Sequence, residues 1–148
     1  MYESIYLLFN ASVMPVWAVM IFAPHSRFAD RLTATPIVPL VYAVVYVTLF
    51  AISLPGGGEG SMGSMEGLRI AFERDAMLLM AWVHYLCFDM AVGMWELRDA
   101  RKNGISGFLL APCLFFTLML GPSGLMMYVG VRYAKTGHLR WHDEIVLE

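Results

Sequence analysis

The sequence predicts an all-α polytopic membrane protein in which four transmembrane helices form one antiparallel bundle. Of the 148 residues, 59% are hydrophobic and 15% are charged, whereas a soluble domain averages about 45–50% apolar and about 25% charged residues. The apolar residues come in blocks rather than in a one-sided stripe, and a spanning helix needs a block of about 20 residues. The segments between the blocks are short, which favours antiparallel neighbours.

Four apolar runs and two polar segments make up a single membrane domain that covers residues 1–148. The predicted elements are helices over about 4–22, 36–54, 76–95 and 108–131, a Gly-rich linker over 55–67 and a polar tail over 132–148. An even number of spans predicts that both termini lie on the same side of the membrane. The first run is predicted to be a retained helix, because it is preceded by Glu3 and by no Lys or Arg, unlike a secretory signal.

The composition excludes several classes of function. A net charge of −2 gives no basic surface for nucleic acid. Cys87 and Cys113 both lie inside apolar runs and are predicted to act as small hydrophobic side chains. Of the four histidines only His84 lies at membrane depth, which excludes a histidine-box di-iron centre and a bis-His haem. The Gly-rich linker lacks the Lys-Ser/Thr pair of a phosphate-binding loop. We therefore expect no metal and no cofactor.

The third apolar run carries the polar residues that matter most. His84 and Asp89 are the two side chains that titrate readily deep within any run, and such residues in a membrane helix point to a functional site. His84 lies about 140° away from Asp89 around a straight helix, so the two cannot form a pair. Tyr85, four residues before Asp89, is the predicted partner of its carboxyl group. One stripe of this helix contains Trp82, Tyr85, Asp89, Gly93 and Glu96.

The fourth run has a face of small and polar residues, which is typical of a close helix–helix interface. That face contains Thr117, Gly121, Gly124, Tyr128 and Arg132. Pro122 cannot donate a backbone hydrogen bond to Leu118, which predicts a kink. Counting residues from the helix ends gives the depth of each residue in the membrane. By this count Asn10, Thr48, His84 and the Gly121–Pro122 break lie at the same depth, and Thr117 lies toward the depth of Asp89. We expect His84 and Asp89 to point into the bundle at this polar layer.

A structural interpretation of the same residues stays open. A single histidine in a membrane helix can simply form a hydrogen bond across the bundle, and Asp89 can be a satisfied structural acid. Glu96, Arg98 and Asp99 lie near the end of the third run, where charged residues most often form a solvated face.

The pattern of these residues resembles the abscisic-acid-deficient-four-like family, small four-span membrane proteins whose plant members are implicated in neoxanthin synthesis. The resemblance is carried by Trp82-x-His84-Tyr85-Leu86-x-Phe88-Asp89, Gly93-x-Trp95-Glu96-x-x-Asp99-Ala100, Gly104-Ile105, and Pro112-x4-Thr117-x3-Gly121-Pro122-x-Gly124-Leu125. It covers most of the chain and is most specific in the third and fourth runs.

The resemblance implies an isomerase-type reaction on a carotenoid or related isoprenoid, without a redox cofactor. In the plant reaction an epoxide opens while a proton leaves the neighbouring polyene carbon, which requires an acid and a base. The catalytic candidates are His84, Asp89 and Tyr85. The substrate-binding candidates are Trp82, Phe88, Trp95, Thr117, Gly121, Pro122 and Gly124. The supporting polar candidates are Asn10, Thr48 and Glu96.

Two classes of function remain open at this point: an enzyme, and a non-enzymatic carotenoid- or lipid-binding or structural subunit. The expected partners are membrane lipid, a hydrophobic small molecule such as a carotenoid, and further copies of the chain in an oligomer, with no nucleic acid. The compact sequence without a transit peptide favours the bacterial cytoplasmic (inner) membrane.

Overall fold

The computed structural model of the chain describes residues 1–53 and 60–139, and helices joined by short turns account for this part. The helices are α1 (Tyr2–Phe22), α2 (Arg27–Thr33), α3 (Ile37–Ser53), α4 (Met65–Phe72), α5 (Asp75–Lys102), α6 (Gly107–Leu120) and α7 (Pro122–Thr136). The all-α prediction is confirmed. The first half of the predicted Gly-rich linker and the end of the predicted tail lie outside the described residues.

In the described part of the chain, three segments are long and apolar enough to cross a membrane. They are Tyr2–Phe22, Arg27–Ser53 and Asp75–Lys102. The second of these contains the short helix α2 followed by α3. The shorter apolar helix α6 has 14 residues, which at 1.5 Å per residue is only about 21 Å and too short for the bilayer core of about 30 Å.

The helix ends follow local sequence signals. Ser26 caps α2 by accepting a hydrogen bond from the Ala29 amide at 3.0 Å, and Ser64 caps α4 in the same way through the Gly67 amide. Helix α5 continues past the predicted end at about residue 95 and stops at Asn103–Gly104, where Gly104 adopts a φ of +62° that favours glycine.

Helix α5 is the centre of the fold, and cross-helix contacts give the direction of its neighbours. Arg74 donates to the carbonyl of Ser53 and Cys87 to that of Pro39, both in α3, and Arg98 donates to the carbonyl of Thr33 at the end of α2. The residue numbers of these acceptors decrease as those of the donors in and next to α5 increase, so α3 and α5 run in opposite directions. Along α1, Trp82 bonds to Asn10 and Arg101 bonds to the Pro24 carbonyl, so α1 and α5 run in the same direction.

The packing between α1 and α5 depends on one glycine. Trp17 of α1 is 1% exposed, and a Cβ atom placed on Gly93 would lie 2.5 Å from the edge of its indole ring. Lipid tails are as apolar as this core, so close van der Waals packing at small residues holds membrane helices together. Gly93 faces another helix, as the predicted polar stripe requires.

Helices α6 and α7 form a hairpin, and the predicted single helix over about 108–131 is wrong. In α6, Thr117 contacts Glu96 of α5, and Gly121 just after α6 contacts Asp89, which lies earlier in α5. Helix α6 is therefore antiparallel to α5. The chain then returns along α5, so that Arg132 of α7 meets Asp99. The cause is local: Gly121 adopts φ +38° and ψ −90°, and Pro122 cannot continue the backbone ladder, so the predicted kink becomes a reversal.

The hairpin determines at which end of the bundle α7 ends. Tyr2 lies beside Asp75 at the start of α5, where both residues line one cavity. Arg132, in the last turns of α7, lies beside Asp99 near the end of α5. The start of α1 and the end of α7 are therefore at opposite ends of the bundle. The expectation that both termini lie on the same side depended on an uninterrupted fourth span, which the described residues do not form.

Candidate functional site

The face of α5 that packs on the α6–α7 hairpin carries three buried carboxyl groups. Asp89 is 9% exposed, Glu96 is fully buried and Asp99 is 8% exposed. Their spacing of seven and three residues places them on one side of the helix. The prediction that this polar stripe faces other helices is confirmed for Asp89 and Glu96.

Asp89 lies at the turn of the hairpin. A Cβ atom placed on Gly121 would be 2.7 Å from Asp89 Oδ1, so a larger residue there would force the carboxyl group to move. Asp89 Oδ2 is buried and has no hydrogen-bond partner among the described residues. Gly121 is also the residue that precedes α7, and the amino end of a helix attracts negative charge. Asp89 is thus a buried carboxyl group with one oxygen still available.

Tyr85 lies beside Asp89, as its spacing predicts. Its hydroxyl interacts with the Asp89 carboxyl and donates a hydrogen bond of 3.3 Å to the Leu118 carbonyl. That carbonyl is the one that Pro122 leaves without its usual backbone donor. The break in the hairpin therefore positions a phenolic hydroxyl next to the buried acid.

Among the described residues, Glu96 forms hydrogen bonds with one hydroxyl group. Thr117 Oγ1 lies 2.9 Å and 3.0 Å from the two oxygens of Glu96, and Thr117 is itself fully buried. Thr117 was expected to lie toward Asp89, but because α6 is antiparallel to α5 it lies beside Glu96, two helical turns after Asp89. The alternative interpretation, in which Glu96 belongs to a solvated face, is wrong because the hairpin covers this side chain. A buried carboxylate without a cation is costly, so Glu96 is a group that can hold a proton.

The third carboxyl group belongs to a buried ion pair that the sequence analysis missed. Asp99 Oδ2 accepts hydrogen bonds from Tyr128 at 2.6 Å and from Arg132 Nε at 2.7 Å. Both side chains of the ion pair are less than a tenth exposed. Asp99 was assigned to a solvated face and Arg132 to the polar tail, whereas α7 extends to Thr136. The available signal was the helical spacing of Tyr128 and Arg132 on one face of the fourth run.

The family model for ABA4-like proteins, described as ABA DEFICIENT 4-like, matches residues 4–128. The chain belongs to the ABA4-like family. The match includes Tyr85, Asp89, Glu96 and the Gly121–Pro122 turn, and it ends before Arg132. No curated protein and no solved structure matches the chain significantly.

In this ABA4-like protein His84 does not point into the bundle, and that prediction is wrong. His84 is exposed on the outer face of α5, where its ring lies 5.4 Å from that of Tyr46 and 4.7 Å from that of Phe88. Phe88 is 58% exposed on the same side. Thr48 is exposed as well and donates to the Val44 carbonyl of its own helix. The polar layer was inferred from the depth of each residue along its helix, and depth does not show how the helix is rotated about its axis.

The other predicted residues divide between two places. Asn10 accepts a hydrogen bond of 3.0 Å from the Trp82 ring nitrogen rather than contacting His84. Trp95 packs edge-to-face on Tyr128 with ring centroids 5.3 Å apart, beside the Asp99 ion pair. Gly124 packs against Thr117 and the Cys113 carbonyl, so it closes the hairpin and does not line a binding groove.

One cavity lies between the start of α1 and the start of α5. It has a volume of about 420 Å³ and is lined by Tyr2, Glu3, Tyr6, Asp75, Leu78, Leu79 and Trp82. The Trp82 ring lies 5.6 Å from that of Tyr6 and 5.3 Å from that of Tyr85. Aromatic rings therefore connect the cavity wall with the phenol beside Asp89. Among the described residues, no group of three His, Cys, Asp or Glu side chains is arranged to hold a metal ion.

Proposed function

We propose that this ABA4-like protein isomerises a carotenoid or related isoprenoid by proton transfer at Asp89. The observation that carries the proposal is the buried Asp89 carboxyl group, whose Oδ2 has no partner among the described residues and which lies beside the Gly121 turn. A carboxyl group in such a place is a candidate acid or base. Family membership supports the link to carotenoids.

The proposed reaction needs one base and one acid. Asp89 takes the proton from the polyene carbon next to the epoxide, and the electron pair of that C–H bond forms the new double bond. The epoxide C–O bond breaks, and the Tyr85 hydroxyl gives its proton to the oxygen. Return of the proton from Asp89 to Tyr85 restores both groups. The product has the same composition as the substrate, and no oxidant or reductant is consumed.

Access to Asp89 is proposed from the cavity at the start of α5. An apolar ring system enters between α1 and α5 and packs on Trp82, whose orientation is fixed by its hydrogen bond to Asn10. Tyr85 is the next ring along this path. Burial of apolar area against aromatic walls is the usual way that such ligands are held.

His84 has no part in this proposal, because it lies on the outer face of α5. Glu96 is proposed as a supporting group that stores a proton two helical turns from Asp89. Both of its oxygens lie at the Thr117 hydroxyl, and it interacts electrostatically with Asp89 along the same helix face.

The proposed arrangement in a bacterial cytoplasmic membrane has three spans and one re-entrant hairpin. Helices α1, α3 and α5 cross the bilayer, and α6 enters to the depth of Asp89 before α7 returns. Non-helical backbone at membrane depth is tolerated where protein buries it, and the Gly121 turn packs against the Asp89 carboxyl group.

Expression in carotenoid-producing bacteria tests the function. We expect wild type to form a pigment of unchanged mass and altered retention, and Asp89→Asn and Tyr85→Phe to lose it. His84→Ala and the control Glu66→Gln, an exposed acid of α4, should retain the product. Asp89→Leu should fold while remaining inactive. Loss of product in His84→Ala with retention in Asp89→Asn would refute the assignment of the site.

A carotenoid- or lipid-binding subunit is the second candidate. The aromatic lining of the cavity at Tyr6 and Trp82 favours it, since such a cavity needs no titrating group to bind a ligand. In that case pigment chemistry is unchanged and pigment co-purifies equally with wild type and Asp89→Asn. Tyr6→Ala would then reduce the bound pigment, while Met126→Ala on the exposed surface of α7 would not.

A further inference from the structure

A row of four aromatic rings lies on the outer surface between α3 and α5. In order the rings are those of Phe50, Tyr46, His84 and Phe88, with successive centroid distances of 6.4 Å, 5.4 Å and 4.7 Å. We refer to this row as the ring ladder. Phe50 is 42% and Phe88 is 58% exposed. The ladder therefore presents a pre-formed surface that includes two rings with polar groups, those of Tyr46 and His84.

His84 is the unusual member of the ring ladder. It lies nine residues after the start of α5, about 13.5 Å along the helix axis and close to the centre of a bilayer core of about 30 Å. Its contacts in the described structure are ring contacts, with no hydrogen bond to either nitrogen. Polar side chains at this depth almost always face protein or water, because hydrocarbon cannot satisfy them.

Several other polar side chains of the spanning helices form hydrogen bonds within the chain. Thr48, also exposed, donates to the Val44 carbonyl. Asn10 accepts from Trp82, and Ser12 bonds to both the Phe9 carbonyl and the Tyr42 hydroxyl. The outward, unsatisfied position of His84 thus indicates a hydrogen-bonding partner from outside this chain.

We propose that the ring ladder is the interface of a homodimer in which His84 bonds to its counterpart. A neutral imidazole has one donor and one acceptor nitrogen, so two copies related by a twofold axis are complementary at this residue. Ala91 is exposed on the same stripe of α5, seven residues after His84, and its small side chain lets two helices approach closely. A lipid tail offers His84 no hydrogen bond.

Cross-linking of the full-length protein in native membranes locates the interface. An Ala91→Cys variant should form a disulfide dimer on mild oxidation, because Ala91 lies in the proposed contact. Wild type, which has Cys87 and Cys113, gives the background, and Met126→Cys on exposed α7 is the matched control. Equal cross-linking of Ala91→Cys and Met126→Cys would overturn the proposal.

Dilution in lipid vesicles measures the strength of the dimer by single-molecule fluorescence. Polar contacts between membrane helices predict that His84→Leu raises the dimer dissociation constant roughly 3- to 30-fold. His84→Asn, which keeps a donor and an acceptor, should lose less, and Asp89→Asn should match wild type. A monomer at all dilutions, or a dimer insensitive to His84→Leu, would overturn the proposal. A bound polyene that shields the ladder of a monomeric protein would also overturn it.

Discussion

Gly121 and Asp89 meet at the turn of the α6–α7 hairpin, and each depends on the other. A Cβ atom at position 121 would lie 2.7 Å from Asp89 Oδ1, and the φ of +38° is one that side chains rarely adopt. The turn that reverses the fourth apolar run is therefore also what gives the buried carboxyl group its place. The contact between Gly121 and Asp89 therefore contributes both to the fold and to the candidate site.

Replacing Gly121 should consequently damage both stability and activity. For Gly121→Ala we expect a loss of about 1–3 kcal/mol from backbone strain, together with loss of the isomerised pigment because Asp89 is displaced. Thermal unfolding in detergent and pigment analysis measure the two effects. The control is Gly130→Ala on α7, where an added Cβ meets nothing within 4 Å. Alanine is the better helix former, so this variant should be neutral or stabilised by up to about 1 kcal/mol.

The ion pair between Asp99 and Arg132 should be among the costliest interactions to break. Asp99→Leu leaves a buried guanidinium unpaired, and loss of one partner of a buried pair costs about 3–5 kcal/mol. The double variant Asp99→Leu/Arg132→Met removes both charges and should recover part of this loss. Denaturant unfolding followed by circular dichroism gives the comparison.

The exposed pair of Glu66 and Arg69 provides the control for the buried one. Its side chains are 65% and 68% exposed, and surface pairs contribute about 0–1 kcal/mol. Glu66→Gln should therefore change unfolding little. If Asp99→Leu lowered the free energy of unfolding as little as Glu66→Gln, the guanidinium of Arg132 would have to be stabilised by another partner.

The sequence was sufficient for the helical class and for part of the site. Apolar blocks identified the membrane helices, and helical spacing placed Tyr85 beside Asp89. Spacing also placed His84 on the opposite side of α5, but it could not show that this side faces outward. Rotation of a helix depends on which neighbours pack against it, and an all-round apolar sequence carries little signal for that.

The hairpin was the feature that the sequence analysis did not predict. Gly121–Pro122 predicts an interruption, yet a kink and a reversal use the same residues. The reversal is favoured by the contact of Arg132 with Asp99, which is distant in sequence, and by the packing of Gly124 on Thr117 across the turn. For the same reason Glu96 and Asp99 were associated with a solvated edge, since both halves of the hairpin cover them: Thr117 of α6 contacts Glu96, and Arg132 of α7 contacts Asp99.

Thr117 and Thr48 make a matched pair for testing how Glu96 is held. Thr117→Val removes the only hydroxyl that bonds to the fully buried Glu96 among the described residues. An unsatisfied buried polar group costs about 1–3 kcal/mol, so we expect a loss of that size. Thr48→Val has the same shape change at an exposed position that bonds to its own helix, and it should be close to neutral. Equal stability of the two variants would show that Glu96 does not depend on Thr117.

The direction of α7 can be tested by labelling single introduced cysteines from each side of the membrane. Ser4→Cys lies near the start of α1, Ser106→Cys precedes α6, and Lys135→Cys lies at the end of α7; all three positions are exposed. In the hairpin, Ser106→Cys and Lys135→Cys should react with a membrane-impermeant thiol reagent from one side, and Ser4→Cys from the other. Intact spheroplasts and inverted vesicles should give opposite patterns, with wild type reporting the background of Cys87 and Cys113. Labelling of Lys135→Cys together with Ser4→Cys would instead require that α6 and α7 form one continuous span, and the contacts of Arg132 with Asp99 would then not exist.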